Sequence, residues 1–194
     1  MITQLNHLDF SKTYSYADYV TWKIKERIEL IKGKIFEMSP APRTIHQKVL
    51  GNLHGFFWTA LRNQKCQVFT APFDVRLIDI KKVTNDEAIY TVVQPDLCVF
   101  CDESKIDERG AIGSPDLVIE ILSPGNSKKE LKYKYDLYQE SGVSEYWIVN
   151  PTDKSILIYI LENQKYIGLH PLTDEDVIKS IHFPNLEFNI SEIF

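Results

Sequence analysis

The stretch Pro115-Asp116-Leu117-Val118-Ile119-Glu120-Ile121-Leu122-Ser123-Pro124 limits the fold more than any other, because it is apolar at both alternating positions of an extended chain and ends in proline on each side. A strand of this kind is buried on both faces, in the middle of a sheet covered above and below. The next segment reads as a crossover. Ser127 can cap a helix with Glu130 three residues on, a capping box, and Leu131, Tyr135 and Tyr138 give that helix an apolar face to about Ser141. Gly142 suits its C-terminal cap, and residues 145–150 then read as a strand, so strand, helix and strand predict a right-handed parallel unit.

Upstream, Ile45, Val49, Leu53, Phe57 and Leu61 recur every four residues, with Leu50, Phe56 and Ala60 beside them, and predict a core-facing helix over residues 44–62. Residues 67–78 and 88–100 are rich in Val, Phe, Tyr and Thr and read as strands, with the charged stretch 81–87 as a hairpin loop between them. Ser15 can cap a short helix over residues 16–25. Residues 28–38 read as two short strands about Lys32-Gly33, before Pro40 and Pro42 break the chain. A polar loop covers residues 101–114, residues 154–161 and 165–169 form a closing hairpin, and residues 183–194 pack as a tail. The fold class expected is α/β: a core of helix, three strands, helix and strand around a mixed central sheet, with an added C-terminal hairpin.

No repeat, low-complexity tract or linker divides the 194 residues, and 44% apolar residues supply one core, so a single domain over 1–194 is expected. The longest apolar run, residues 156–161, is far short of the roughly 20 residues that span a bilayer, and the polar start lacks a signal pattern. A cytoplasmic location is the expectation. Three cysteines, Cys66, Cys98 and Cys101, are an odd and sparse set and are expected as reduced thiols. Cys98 and Cys101 match C-x-x-C, but on a strand they face opposite sides, and no second pair completes a zinc tetrahedron. The net charge of −5 argues against a surface that is basic all over. Residues 150–194 carry three lysines against seven acids, whereas the rest is nearly neutral and contains Lys128, Lys129, Lys132 and Lys134 within seven positions. Such a cluster is commonly a solvated helix face. No nucleophile elbow, Walker loop or dinucleotide fingerprint is present.

Glu120 shares a strand face with Val118 and Leu122, where an ionised carboxylate costs several kcal/mol unless it is paired or bound to a cation. The bland reading is a buried ion pair or a neutral carboxyl. The sharper one is ligation, because Asp96, in Gln94-Pro95-Asp96-Leu97-Cys98, is likewise one acid in an apolar strand. Two carboxylates at one sheet edge raise each other's pKa and ionise together chiefly when a divalent cation neutralises them, and an all-oxygen set suits magnesium or manganese. Asp116 lies four residues before Glu120, about 13 Å along a strand, and reads as structural. Lys134, three residues after Leu131 and four before Tyr138, sits on the apolar stripe of its helix. There it either snorkels or reaches the same site to orient a water and offset phosphorane charge. Lys128, Lys129 and Lys132 would then lie near a phosphate backbone. Glu37 and, at the start of the 44–62 helix, His46 and Gln47 are accessory candidates.

The segments Leu30-Ile31-Lys32-Gly33-Lys34-Ile35-Phe36-Glu37-Met38-Ser39-Pro40, Val93-Gln94-Pro95-Asp96-Leu97, the 114–124 run, Lys134 through Tyr138, and Gly142-Val143-Ser144-Glu145-Tyr146-Trp147-Ile148-Val149-Asn150-Pro151 closely resemble the Uma-type restriction endonuclease family of the PD-(D/E)XK nuclease superfamily. The resemblance runs from about residue 16 to the C terminus. It implies the superfamily core of helix, three strands, helix and strand, and a divalent-metal phosphodiesterase site with Asp96 and Glu120 as its acids. The superfamily usually has lysine two residues after the second acid. Here that position is Leu122, and the resemblance maps the lysine to Lys134 on the next helix. The function expected is a Mg2+- or Mn2+-dependent endonuclease acting on DNA, as a homodimer if two strands are cut. The alternative is a non-catalytic nucleic-acid-binding or interaction module that keeps the nuclease fold.

Overall fold

The computed structural model describes residues 2–38, 42–78, 85–123 and 128–194, without the side chains of 128–130. In chain order the elements are α1 (Tyr16–Tyr19), β1 (Ile28–Ile31), β2 (Lys34–Glu37), α2 (Thr44–Leu61), β3 (Gln67–Thr70), β4 (Val75–Leu77), β5 (Thr91–Val93), β6 (Leu97–Phe100), β7 (Ile106–Asp107), β8 (Gly110–Ile112), β9 (Leu117–Ile121), α3 (Lys128–Ser141), β10 (Glu145–Asn150), β11 (Ser155–Glu162), β12 (Lys165–Gly168), β13 (Leu172–Thr173), β14 (Val177–Lys179) and β15 (Glu187–Asn189).

The central sheet runs β12-β11-β10-β9-β6-β3, with β13 on β11. The expected crossover is there: β9 and β10 pair in parallel, with Glu120 opposite Ile148, and α3 joins them. Gly142, at φ 84°, closes α3, and Val143 N–H reaches back to the Tyr138 carbonyl at 3.0 Å. The capping box at Ser127 and Glu130 lies outside the described residues, as does part of the 81–87 loop. On one face of this sheet Leu97, Val99, Leu117, Ile119, Ile121, Trp147 and Val149 pack against α2 and the C-terminal segment through Phe183, Phe188 and Ile193. On the other, Cys98, Phe100, Val118, Tyr146 and Ile148 meet α3 and residues of a second sheet, among them Ile31, Val75 and Val93. That second sheet runs β2-β1-β5-β4-β8-β7.

Five expectations need correction. The 67–78 and 88–100 strands are each two strands in different sheets: β3 pairs with β6 in the central sheet, and β4 pairs with β5 in the second. The polar 101–114 loop contains the small β7–β8 hairpin. The 16–25 helix stops at Tyr19, although Ser15 does cap it, accepting from Asp18 N–H. Lastly, Cys66 and Cys101 are joined as a disulfide, and Cys98 alone is a free, buried thiol. The reason is register. Gln67 pairs with Phe100 across β3 and β6, so Cys66 and Cys101 are the next opposed positions of two neighbouring strands. Their distance along the sequence hid this.

The stripe of α2 is shifted too. Its buried side chains are His46, Val49, Leu50, Leu53, Phe57 and Leu61, and Ile45 is 42% exposed. At about 100° per residue, each step of four turns the helix about 40° past the previous position, so Ile45 lies roughly 160° round from Leu61. The buried slot in the first turn therefore falls to His46.

Candidate active site

Alternation along β9 sends Leu117, Ile119 and Ile121 toward α2 and Glu120 toward α3, where it ends in a buried polar cluster. Glu120 Oε1 accepts from Lys134 Nζ at 2.9 Å and from Tyr138 OH at 2.6 Å. Lys134 and Tyr138 are one helical turn apart on α3, which explains why both reach the same oxygen. Lys134 also lies 3.2 Å from Glu29 Oε1, an atom that accepts Gln94 N–H at 2.9 Å. The second sheet thus delivers a third carboxylate to the site, through β1.

Asp96 enters from the start of β6. Because Leu97 pairs with Ile119, Asp96 is the next position opposite Glu120 at the end of the β6–β9 ladder. Its Oδ2 accepts Ile121 N–H at 2.8 Å and lies 3.2 Å from His46 Nε2 on α2. Asp96 therefore bridges the strand carrying Glu120 and the helix on the opposite face. The Asp96 side chain is 19% exposed and that of Glu120 is 11% exposed, so both carboxylates keep partial contact with solvent.

The electrostatics are lopsided. Three carboxylates, from Glu29, Asp96 and Glu120, surround one ammonium and one imidazole. Burial pushes the Glu120 carboxyl up to about 7, and the neighbouring charges of Asp96 and Glu29 push the same way, against the pull of Lys134 and Tyr138. Burial works against the Lys134 ammonium, but Glu120 and Glu29 outweigh it and hold it charged well above the ordinary range. Burial, together with Glu120, raises the Tyr138 hydroxyl, which remains a donor at any physiological pH. His46 is shifted upward as well: burial opposes its charge, and Asp96 and Glu120 overcome that.

The structure thus gathers Asp96, Glu120, Lys134 and His46. Gln47 is exposed on α2, and Glu37 is exposed on β2 and shares no bond with the cluster among the described residues. Lys132 is exposed on α3, whereas the side chains of Lys128 and Lys129 lie outside the described residues. Asp116 accepts Cys101 N–H at 2.8 Å, a structural role. Glu29 is the residue that sequence reasoning missed. It is an acid in the wholly buried strand Ile28–Ile31, and the reasoning that picked Glu120 from an apolar strand applied to it equally.

Among the described residues no group of three or more His, Cys, Asp or Glu side chains is arranged to hold a metal ion. The donor chemistry nonetheless fits a hard dication with two protein ligands. Glu120 Oε2 and Asp96 Oδ1 accept no hydrogen bond among the described residues. Magnesium characteristically takes one or two carboxylates and fills its remaining positions with water or phosphate oxygen. The excess of buried negative charge is what such an ion would neutralise.

Known proteins share this architecture. A crystal structure titled "putative nuclease belonging to DUF820", from Anabaena variabilis ATCC 29413, superposes with a TM-score of 0.69 at 20% identity, covering 93% of this chain and 97% of that one. The fold is accordingly the mixed α/β fold of that structure. The curated "Uncharacterized protein slr1290" of Synechocystis sp. (strain ATCC 27184 / PCC 6803 / Kazusa) is 24% identical over 148 residues, 75% of this chain and 73% of its own length. The family model Uma2, described as "Putative restriction endonuclease", matches residues 16–191, and the chain belongs to that family.

Proposed function

We propose that this protein is a divalent-metal-dependent endonuclease that hydrolyses phosphodiester bonds in DNA, with Asp96 and Glu120 as metal ligands and Lys134 as the catalytic cation. One observation carries the reading: a carboxyl is buried on the central strand and raised to about 7 while an ammonium sits 2.9 Å from it. A cluster built only for stability would balance its charges. This one sets three carboxylates against one ammonium and one imidazole, with Asp96 and Glu120 still in partial contact with solvent. The family description and the nuclease title of the Anabaena structure point the same way.

Mg2+ or Mn2+ between Asp96 and Glu120 would supply Lewis acidity and a water of lowered pKa. The chain's own residues supply the rest. Lys134 presents a charge that stays positive at neutral pH, to orient the attacking water and stabilise the charge that develops on the phosphoryl oxygens. Glu29 shares the ammonium, so Lys134 has a second carboxylate partner beside Glu120. Tyr138 holds Glu120 in orientation through its short hydrogen bond. Exposed Lys132, in the first half of α3, is a candidate for contact with the nucleic-acid backbone, joined by Lys128 and Lys129. Cutting both strands of a duplex would call for two copies of the chain.

The test is cleavage of supercoiled, linear and single-stranded DNA, and of RNA, with Mg2+, Mn2+ or EDTA, by the wild type and by Asp96→Asn, Glu120→Gln and Lys134→Met. The expected result is metal-dependent cutting of DNA that falls at least about 100-fold in each variant. Binding without cleavage under every condition would make the protein a non-catalytic nucleic-acid module. Undiminished cutting by all three folded variants would refute the site.

A further inference from the structure

His46 occupies the first turn of α2 at 6% exposure, on the same helix face as Val49, Leu50 and Leu53. Its Nε2 faces Asp96 Oδ2 at 3.2 Å. A carboxylate only accepts, so Nε2 carries a proton whether the ring is neutral or charged, and Nδ1 is the nitrogen left over, an acceptor in the neutral ring and a donor in the charged one. Nδ1 is buried and has no partner among the described residues. A side chain kept for packing alone has no reason to strand a buried polar atom, since an apolar residue of similar size would avoid the penalty. The contact with Asp96 is what the histidine offers in return.

Asp96 Oδ2 also accepts Ile121 N–H at 2.8 Å, so two donors from different layers, helix α2 and strand β9, converge on one oxygen. We infer that His46 is a positioning residue: its Nε2–H fixes the rotation of the Asp96 carboxylate and keeps Oδ1 available to a hard divalent cation. This rests on the metal site proposed above. Groups that orient a metal ligand in this way commonly change metal affinity about 10- to 100-fold when removed.

The measurement is Mn2+ affinity, from the free-ion electron paramagnetic resonance signal, for the wild type, Asp96→Asn, His46→Gln and His46→Leu, with a melting temperature for each. Gln places an amide N–H close to the position of Nε2–H, and Leu fills the pocket without a donor. His46→Gln should bind Mn2+ within about threefold of wild type. His46→Leu should bind about tenfold or more weakly while melting no lower than wild type. Wild-type affinity in His46→Leu, or equal losses in the Leu and Gln variants, would overturn the inference and leave the metal site standing. A wild type that takes up no Mn2+, or takes it up unaffected by Asp96→Asn, would instead overturn the metal site and the inference with it.

Discussion

The folded protein should lose stability as pH rises from 5 to 8 when no metal is present, and Glu120→Gln should abolish most of that loss. Between its ordinary value of 4.5 and about 7, Glu120 binds a proton in the folded state that it does not bind in the unfolded state. Unfolding releases that proton, so the stabilisation is fully present below about 4.5 and is gone once pH passes about 7. At about 1.4 kcal/mol for each tenfold change in proton affinity, the rise amounts to on the order of 3 kcal/mol. His46, shifted above its ordinary 6.5, adds loss of the same sign at higher pH. Opposing effects from Asp9, Asp102, Asp107 and Asp176, all held below their ordinary 3.8, act under about pH 4 and lie outside the window. Gln in place of Glu120 can still accept from Lys134 and Tyr138 but never ionises. Urea unfolding in EDTA at four pH values, for both proteins, gives the comparison. The stability of Glu120→Gln relative to wild type should climb by on the order of 3 kcal/mol from pH 5 to 8. A difference that stays flat across this range would show that the ionised carboxylate is already compensated and that the site holds no excess charge for a cation to neutralise.

Lys134→Met should cost about 3–5 kcal/mol at pH 8, where it leaves Glu29 and Glu120 facing each other without a cation, and clearly less at pH 5, where Glu120 takes a proton; thermal melts at the two pH values read this. Tyr138→Phe removes a 2.6 Å bond to a charged acceptor and should cost about 2 kcal/mol at pH 8 by urea titration. Glu145→Ala should free the C-terminal segment. The Glu145 carboxylate is fully buried and accepts from Trp147 Nε1, Ser180 Oγ and His182 Nδ1, so its loss should cost about 3 kcal/mol, change tryptophan fluorescence and expose residues near 180 to protease.

Much of the core followed from side-chain pattern alone, because each signal was local. The doubly apolar 117–121 strand, the crossover helix ending at Gly142 and the β11–β12 hairpin all arise from short-range periodicity and turn chemistry. Glu120 and Asp96 were legible for the same reason, as charged residues inside apolar strands. Glu29 carried the same signal, as one acid in the wholly buried strand Ile28–Ile31. The stripe of α2 was read with a period of four, and the error accumulated until Ile45 and His46 exchanged places.

What the order of residues determined by itself is the set of elements and the few charged groups that had to be buried within them. Tertiary structure alone decided which of those groups meet. Strand register brought Cys66 opposite Cys101 and Asp96 opposite Glu120; the packing of the second sheet on α3 brought Glu29 to Lys134; and the angle of α2 turned His46 onto Asp96. Periodicity along a chain reports which face a side chain takes, whereas partnership across layers depends on how separate elements dock, and that is a property of the whole core rather than of any segment.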